Sequence, residues 1–484
     1  DNQMSIAEVH GGMYKGFEEL RRTGGKSEHN LFRAMGLDYR FVADGNDSEA
    51  LIKVFREVKD IDHPVVVHIV TQKGKGYKFA EEDKESWHWH MPFDIETGEV
   101  KHPYVDEAAE LTATYLLDRM KTDKKLAVLT AATPASFGFT SERRKQAGKQ
   151  FIDVGIAEEQ AVAMASGLAK GGARPVFGDY ATFFQRTYDQ ISQDVCINNN
   201  PAVFLVFGAS MYSMNDVTHL CIFDIPMMAN IPNLVYLAPV SLAEYKAMLA
   251  WALDQTDHPV AIRVPVLPVS SEGRVIRTDY SQLNTYEVTR RGEEVAILGL
   301  GNFYGLAEQT AAELEKKGIH ATIINPTYIT GLDTDLLESL KKDHRLVVTM
   351  EDGVLDGGFG EKIARFYGSS DMKTCAFGLE KKFYDRYDYE KLAEEYNLKP
   401  ELAAKKITRL SELSPLQNGI YLWRGDITTL DCGAIVNAAN SGMTGCYQPC
   451  HNCIDNCIHT YAGVQLRLKC AEIMERQGFE EPTG

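Results

Sequence analysis

Asp153-Val-Gly-Ile-Ala-Glu158-Glu-Gln160 follows a short apolar strand signal and runs straight into a small-residue helix, Ala161-Val-Ala-Met-Ala-Ser-Gly-Leu-Ala. A carboxylate thereby stands where a strand hands over to a helix N-terminus, a position suited to holding and tuning an acid. An ordinary helix-capping glutamate is the plainer reading of Glu158, and the stretch alone leaves both open.

The same rhythm extends outward. Residues 104–270 alternate helices with apolar strands at Leu126–Thr130, Arg174–Gly178, Ala202–Phe207, Leu234–Ala238 and Val260–Val264. This predicts a parallel sheet with helices on both faces. Residues 280–412 repeat the pattern with strands at Glu294–Leu300, Ala321–Ile324 and Arg345–Thr349, then an amphipathic helix over Pro400–Leu410. Residues 1–100 end in the β-branched run Pro64–Val70, a buried parallel strand that meets a Gly-Lys-Gly-Tyr turn at Gly74–Tyr77. Asp94–Pro103 reads as a linker. Residues 414–484 change character: Ile420–Ile427 and Ala434–Asn440 open a further α/β unit. The expected fold class is therefore α/β, with consecutive parallel-sheet domains.

The 484 residues are 44% apolar and 25% charged, with no apolar run long enough to span a bilayer. A net charge of −17 argues against nucleic acid as a partner, because phosphate binding wants a basic face. Six of nine cysteines (Cys432, Cys446, Cys450, Cys453, Cys457, Cys470) crowd the last fifth. That clustering favours a reduced compartment, the cytoplasm, and a metal or thiol site over a disulfide scaffold. No secretory leader is visible, and a start at Asp1-Asn2 reads as a segment whose N-terminus is missing.

Several separated motifs, in order, resemble the transketolase family and most closely 1-deoxy-D-xylulose-5-phosphate synthase. The resemblance implies transketolase-type domains: the remainder of a diphosphate-binding domain (1–100), a pyrimidine-binding domain (104–270) and a C-terminal domain (280–412). It implies thiamine diphosphate and Mg²⁺ as cofactors, with Glu158 on the aminopyrimidine ring. Asn2 and the Met4 carbonyl, in Asp1-Asn2-Gln-Met4, match the Mg²⁺ ligands, and oxygen donors suit a hard cation. Tyr77 is placed beside the cofactor and His88 in the reaction pocket, with His90 a competitor for that role. In Asp179-Tyr180-Ala-Thr-Phe183-Phe-Gln-Arg186, Tyr180 and Phe183 line the cofactor, Phe183 by stacking on the pyrimidine. Arg186, with Tyr188 and Asp189, reads as a tie to a neighbouring subunit. The implied reaction is decarboxylation of pyruvate and two-carbon transfer to an aldehyde or sugar phosphate, in a homodimer.

The acceptor side departs from the family pattern. In Phe207–His219, glycine (Gly208) takes the place of an arginine and Asn215 that of an aspartate, while His219 is kept. In Ile262-Arg263-Val-Pro-Val266, the second arginine is valine. Arginines grip phosphate through charge-assisted bonds, each worth roughly 1.5–3 kcal/mol. A divergent acceptor is expected.

Gly425-Asp426-Ile427-Thr428 and Asn437-Ala-Ala-Asn440 resemble the opening of a macrodomain, here a partial α/β unit over 414–484. That likeness implies ADP-ribose contacts at Asp426, Ile427 and Asn440. Cys446, His451 and Cys453 match the Zn²⁺ ligands of a zinc-containing subgroup, and Asp455 its acid. The segment reads as too short to work. Three readings thus compete: a thiamine-dependent transferase, an ADP-ribosyl hydrolase, and a non-catalytic fusion fragment.

Overall fold

The computed structural model describes residues 1–7, 11–102, 105–412, 443–446 and 453–480. The chain divides into two compact units, Asp1–Glu412 and Leu413–Gly484.

Unit one opens with a parallel pair, β1 (Asp38–Val42) and β2 (Val65–Ile69). A six-stranded, all-parallel sheet follows, made of β3 (Leu126–Thr130), β4 (Phe151–Asp153), β5 (Arg174–Tyr180), β6 (Val203–Phe207), β7 (Val235–Leu237) and β8 (Val260–Arg263). Its order is β4-β3-β5-β6-β8-β7. A five-stranded sheet then orders β9 (Glu287–Arg290), β10 (Glu294–Gly299), β11 (Thr322–Asn325), β12 (His344–Val354) and β13 (Lys373–Leu379) as β13-β12-β10-β11-β9, with β9 antiparallel at one edge.

Strand β6, Val-Phe-Leu-Val-Phe, is buried at every position, so it reads as a continuous apolar run without alternation. Such runs mark parallel sheets covered on both faces. The helix Glu107–Thr122 starts where the Asp106 carboxylate accepts from Ala109 N, and its last turn carries Arg119 and Lys121 against the dipole. In the helix Leu242–Asp254, Ser241 caps Glu244 N while Glu244 reaches back to Val240 N (2.8 Å). One buried cluster runs through both large sheets, joining Leu129, Phe177 and Phe204 to Leu298, Ile324 and Val347. Main-chain bonds join them too: Ala238 N donates to Thr327 O (2.7 Å) and Ile329 N to Tyr236 O (2.8 Å).

The expected strands are present, displaced by a residue or two at their ends, and β12 runs on to Val354. The helix expected from Ala161 begins at Glu158. Asp94–Pro103, read as a linker, is locally ordered up to residue 102: Asp94 Oδ1 accepts from Glu96 N and Thr97 N, and Phe93 bridges Val100. In unit two the described helices are Ile454–Ala462 and Val464–Gln477. Residues 413–442, on which the macrodomain resemblance chiefly rests, lie outside the described residues.

Candidate active site

Strand order in the first sheet reverses between β3 and β5, and open parallel sheets bind ligands outside the carboxyl ends at such a point. Glu158 lies at that end of the sheet, five residues after β4, as the first residue of the helix Glu158–Lys170. It is 2% exposed. Arg186 Nη1 donates to its Oε1 at 3.3 Å and lies 3.0 Å from Oε2. The second contact is charge attraction without hydrogen-bond alignment, so buried Oε2 keeps its acceptor capacity. The cation sits inside this chain, and the guanidinium also reaches Glu159 (3.5 Å).

Beyond β5 a line of rings follows. Tyr180 and Phe183 are 6.3 Å apart between centroids, and Phe183 meets His219 edge-on at 5.8 Å. All three are part-buried, so each keeps an open face. Glu158, Tyr180, Phe183 and His219 therefore belong to the loops at one end of one sheet.

Two further carboxylates stand there. Asp153 Oδ1 accepts from Ala132 N (3.0 Å) and Gly155 N (2.9 Å), which pins the loop leading to Glu158. Asp179 is fully buried, and its Oδ1 accepts from Thr133 Oγ1 and Tyr180 N, both at 2.8 Å. Sequence reasoning assigned it no role. The available signal was an acid ending an otherwise apolar strand.

In the N-terminal part, Asn2 Oδ1 faces Met4 N at 3.3 Å across a turn with Gln3 at φ +70°. Asn2 and Met4 thus share one tight turn, in which the Asn2 side-chain oxygen accepts from the Met4 main-chain N–H. Asp1 ties that turn to Arg21 of the helix Gly12–Arg22 (2.8 Å) and to His68 Nε2 of β2 (2.7 Å), and His68 Nδ1 meets buried Tyr39 OH at 2.6 Å. Tyr77 packs its ring on Trp87 (5.0 Å) and donates its hydroxyl to Ile95 O. His88 is exposed, whereas His90 stacks on Trp87 at 4.0 Å and faces Met91 O. His90 is thus the packing histidine of the pair, and His88 keeps its ring open.

Lys73, inside the Gly-rich turn, is a group the sequence reading passed over. Its Nζ donates to Ser5 O and Ile6 O, both at 3.2 Å, and burial lowers its pKa. Glu85, which acts on Lys73 electrostatically, holds Arg144 through two 2.8 Å bonds. Lys73 thus binds the main chain just after the Asn2–Met4 turn, and Glu85 and Arg144 act electrostatically on Asp153 at the end of β4.

On the acceptor side, Gly208 has φ +65°, and a Cβ there would lie 2.9 Å from Ser213 Oγ and 3.1 Å from the Tyr180 ring. Asn215 Nδ2 donates to Tyr387 O (2.9 Å), so it fastens the loop to the following domain. Arg263 is 2% exposed and bound to Asp224 through Nε (2.8 Å) and Nη2 (3.2 Å), with Tyr236 OH also on Asp224 (2.5 Å). Asp352 sits close by, accepting from Met211 N (2.9 Å) and Asn302 Nδ2 (3.0 Å). The cluster joins Tyr236 of β7 and Arg263 of β8 in the six-stranded sheet to Asp352 of β12 in the five-stranded one, Arg263 Nη2 donating to Asp352 O.

In unit two, Cys453 Sγ caps the helix Ile454–Ala462 by accepting from Asn456 N (3.4 Å), and Asp455 lies 3.6 Å from buried His459. Among the described residues no group of three or more His, Cys, Asp or Glu could hold a metal, Cys446 and Cys453 included. Asp426, Ile427, Asn440 and His451 lie outside the described residues. No described helix is long and apolar enough to cross a membrane.

Residues 108–269 match the family described as transketolase, pyrimidine binding domain, and residues 284–401 the transketolase C-terminal domain. Residues 19–71 match 1-deoxy-D-xylulose-5-phosphate synthase. Among known proteins, the 1-deoxy-D-xylulose-5-phosphate synthase of Clostridium beijerinckii is 34% identical over 387 residues, covering 78% of this chain and 61% of that protein. The Synechococcus elongatus protein of the same name is 33% identical over 413 residues, covering 82% and 64%. The chain spans about three fifths of the length of such relatives. A solved structure described as split gene transketolase, inactive beta4 tetramer, matches with a TM-score of 0.55 at 24% identity, over 62% of this chain and 97% of that one. It shows the fold alone. The chain is thus of the 1-deoxy-D-xylulose-5-phosphate-synthase-like, transketolase type over part of that family's length.

Proposed function

We propose that residues 1–412 form a thiamine-diphosphate-dependent transferase site that decarboxylates pyruvate and passes a two-carbon unit to an aldehyde acceptor. The observation that carries this reading is Glu158: a shielded carboxylate at the carboxyl end of the sheet, with one oxygen still able to accept. When bound, thiamine diphosphate supplies the electron sink that a carbanion needs. Glu158, held by Arg186, would accept and hold a proton at the ring nitrogen. Tyr180 and Phe183 would line the ring and exclude water, and Asn2 and Met4 would hold a divalent cation on the diphosphate. His88 and His219 are the candidates for proton transfer at the substrate, because each keeps a ring nitrogen within reach of solvent. By the same reading residues 1–100, 104–270 and 280–412 are the diphosphate-side, pyrimidine-binding and C-terminal domains.

The acceptor is proposed to be an unphosphorylated aldehyde. Gly208 and Val266 bring no charge, Asn215 holds Tyr387, and Arg263 is spent on Asp224. The test is carbon dioxide release from pyruvate by the full chain with thiamine diphosphate and Mg²⁺, with glyceraldehyde or glyceraldehyde 3-phosphate as acceptor. No cofactor-dependent release would refute the site, and faster turnover with the phosphate ester would refute the acceptor. ADP-ribose hydrolysis by residues 414–484 has no observation among the described residues in its favour.

A further inference from the structure

Asp179 has no part in the chemistry above, yet it stands at the centre of the sheet's carboxyl end. Its bond from Thr133, which follows β3, bridges the point where strand order reverses. Oδ1 takes both of its bonds, and buried Oδ2 has no hydrogen-bond partner among the described residues. The charged or titratable groups that face it are Glu158 from the helix start, Asp153 from β4, Tyr180 beside it and Cys221 from the loop after β6. Arg186 lies on Glu158. Burial lifts the Asp179 pKa well above the usual carboxylate value; the Thr133 and Tyr180 bonds oppose this, and the Glu158 and Asp153 charges add to it. Carboxylates crowded in a dry site do not all ionise.

We propose that Asp179 is a positioning residue that acts as a neutral carboxylic acid, leaving Glu158 as the one carboxylate whose charge meets the cofactor ring. This rests on the reading of Glu158 above. Ionising Asp179 would set a second buried negative charge behind Glu158 and tighten its hold on a proton. Asparagine mimics the neutral acid, keeping an acceptor oxygen beside an uncharged donor group, whereas leucine strips Thr133 Oγ1 and Tyr180 N of their acceptor.

The test uses the full chain and two readouts. Infrared spectra at pH 7 should show a protonated-carboxyl band that Asp179→Asn removes. Glu158→Gln should move the titration of that band down by about one pH unit, a tenfold change in proton affinity. Titration with thiamine diphosphate and Mg²⁺, followed by tryptophan fluorescence, should show wild-type affinity falling about tenfold where Asp179 ionises, one unit of coupling again. Asp179→Asn should bind equally well at pH 7 and stay flat above it. A protonated-carboxyl region that is identical in wild type and Asp179→Asn, or an alkaline fall that the variant keeps, overturns the proposal; Glu244 and Glu351 absorb in both proteins and cancel in the difference spectrum. If wild type binds no cofactor at any pH, the Glu158 reading fails, and the infrared bands still decide the state of Asp179.

Discussion

Arg186 Nη1 lies 3.0 Å from Glu158 Oε2, a half-exposed cation on a carboxylate 2% open to water. The relationship joins two parts of the chain 28 residues apart. Arg186→Ala leaves a buried acid without its counter-charge, and a loss of about 1–3 kcal/mol is expected in urea unfolding. Arg186→Lys should recover only part of it, since an ammonium lacks the guanidinium fork. An unchanged midpoint in the alanine variant would mean that the pair contributes nothing.

Glu158→Gln keeps the shape of the side chain and removes its charge. Pyruvate decarboxylation is expected to fall by about 100-fold or more while the melting temperature stays near wild type. Equal activity in both proteins would remove Glu158 from the reaction.

Arg263 and Asp224 form a fully buried pair. Arg263→Met should cost about 3–5 kcal/mol, because Asp224 is left charged in a dry interior. Adding Asp224→Asn should recover part of that loss, measured by a double-mutant cycle in denaturant. Strictly additive losses would show that the two side chains act independently.

Burial pushes Glu244 and Glu351 up to about 7 from 4.5. The folded state then binds protons more tightly than the unfolded one, so stability falls as pH rises between those values. Each group should contribute a decline of roughly 3 kcal/mol across that window. Glu244→Gln and Glu351→Gln should each flatten the difference in unfolding free energy between pH 5 and pH 8. A difference as large as wild type in both variants would contradict the assignment.

Gly208 and Gly172 both have positive φ, but a Cβ meets Tyr180 and Ser213 only at Gly208 and open space at Gly172. Gly172→Ala should cost about 1 kcal/mol of conformational strain, and Gly208→Ala should cost more through the added crowding. Equal losses in thermal melts would show that the loop simply moves aside.

Local signals carried the strands well. The β-branched and aromatic runs at Leu126–Thr130 and Val203–Phe207 are buried on both faces, so their composition needed no partner to be read. Strand β13 begins with exposed Lys373 and Thr374 and was missed, because its place is set by pairing with β12. Glu158 was legible as an acid at a helix start. Its grip by Arg186 was not, since the spacing between them carries no periodic signal. Nor could the sequence show that Arg263 faces inward to Asp224, a contact made across 39 residues.

The main-chain bonds at Ala238 and Ile329 have a consequence for how the molecule comes apart. β7 is the last strand of its sheet, and residues 326–330 lie along the flank that would otherwise be open to a foreign strand. The C-terminal domain thus acts as an edge guard for its neighbour. Melting it would bare a sticky rim, so loss of one domain and aggregation of the other should arrive as a single event.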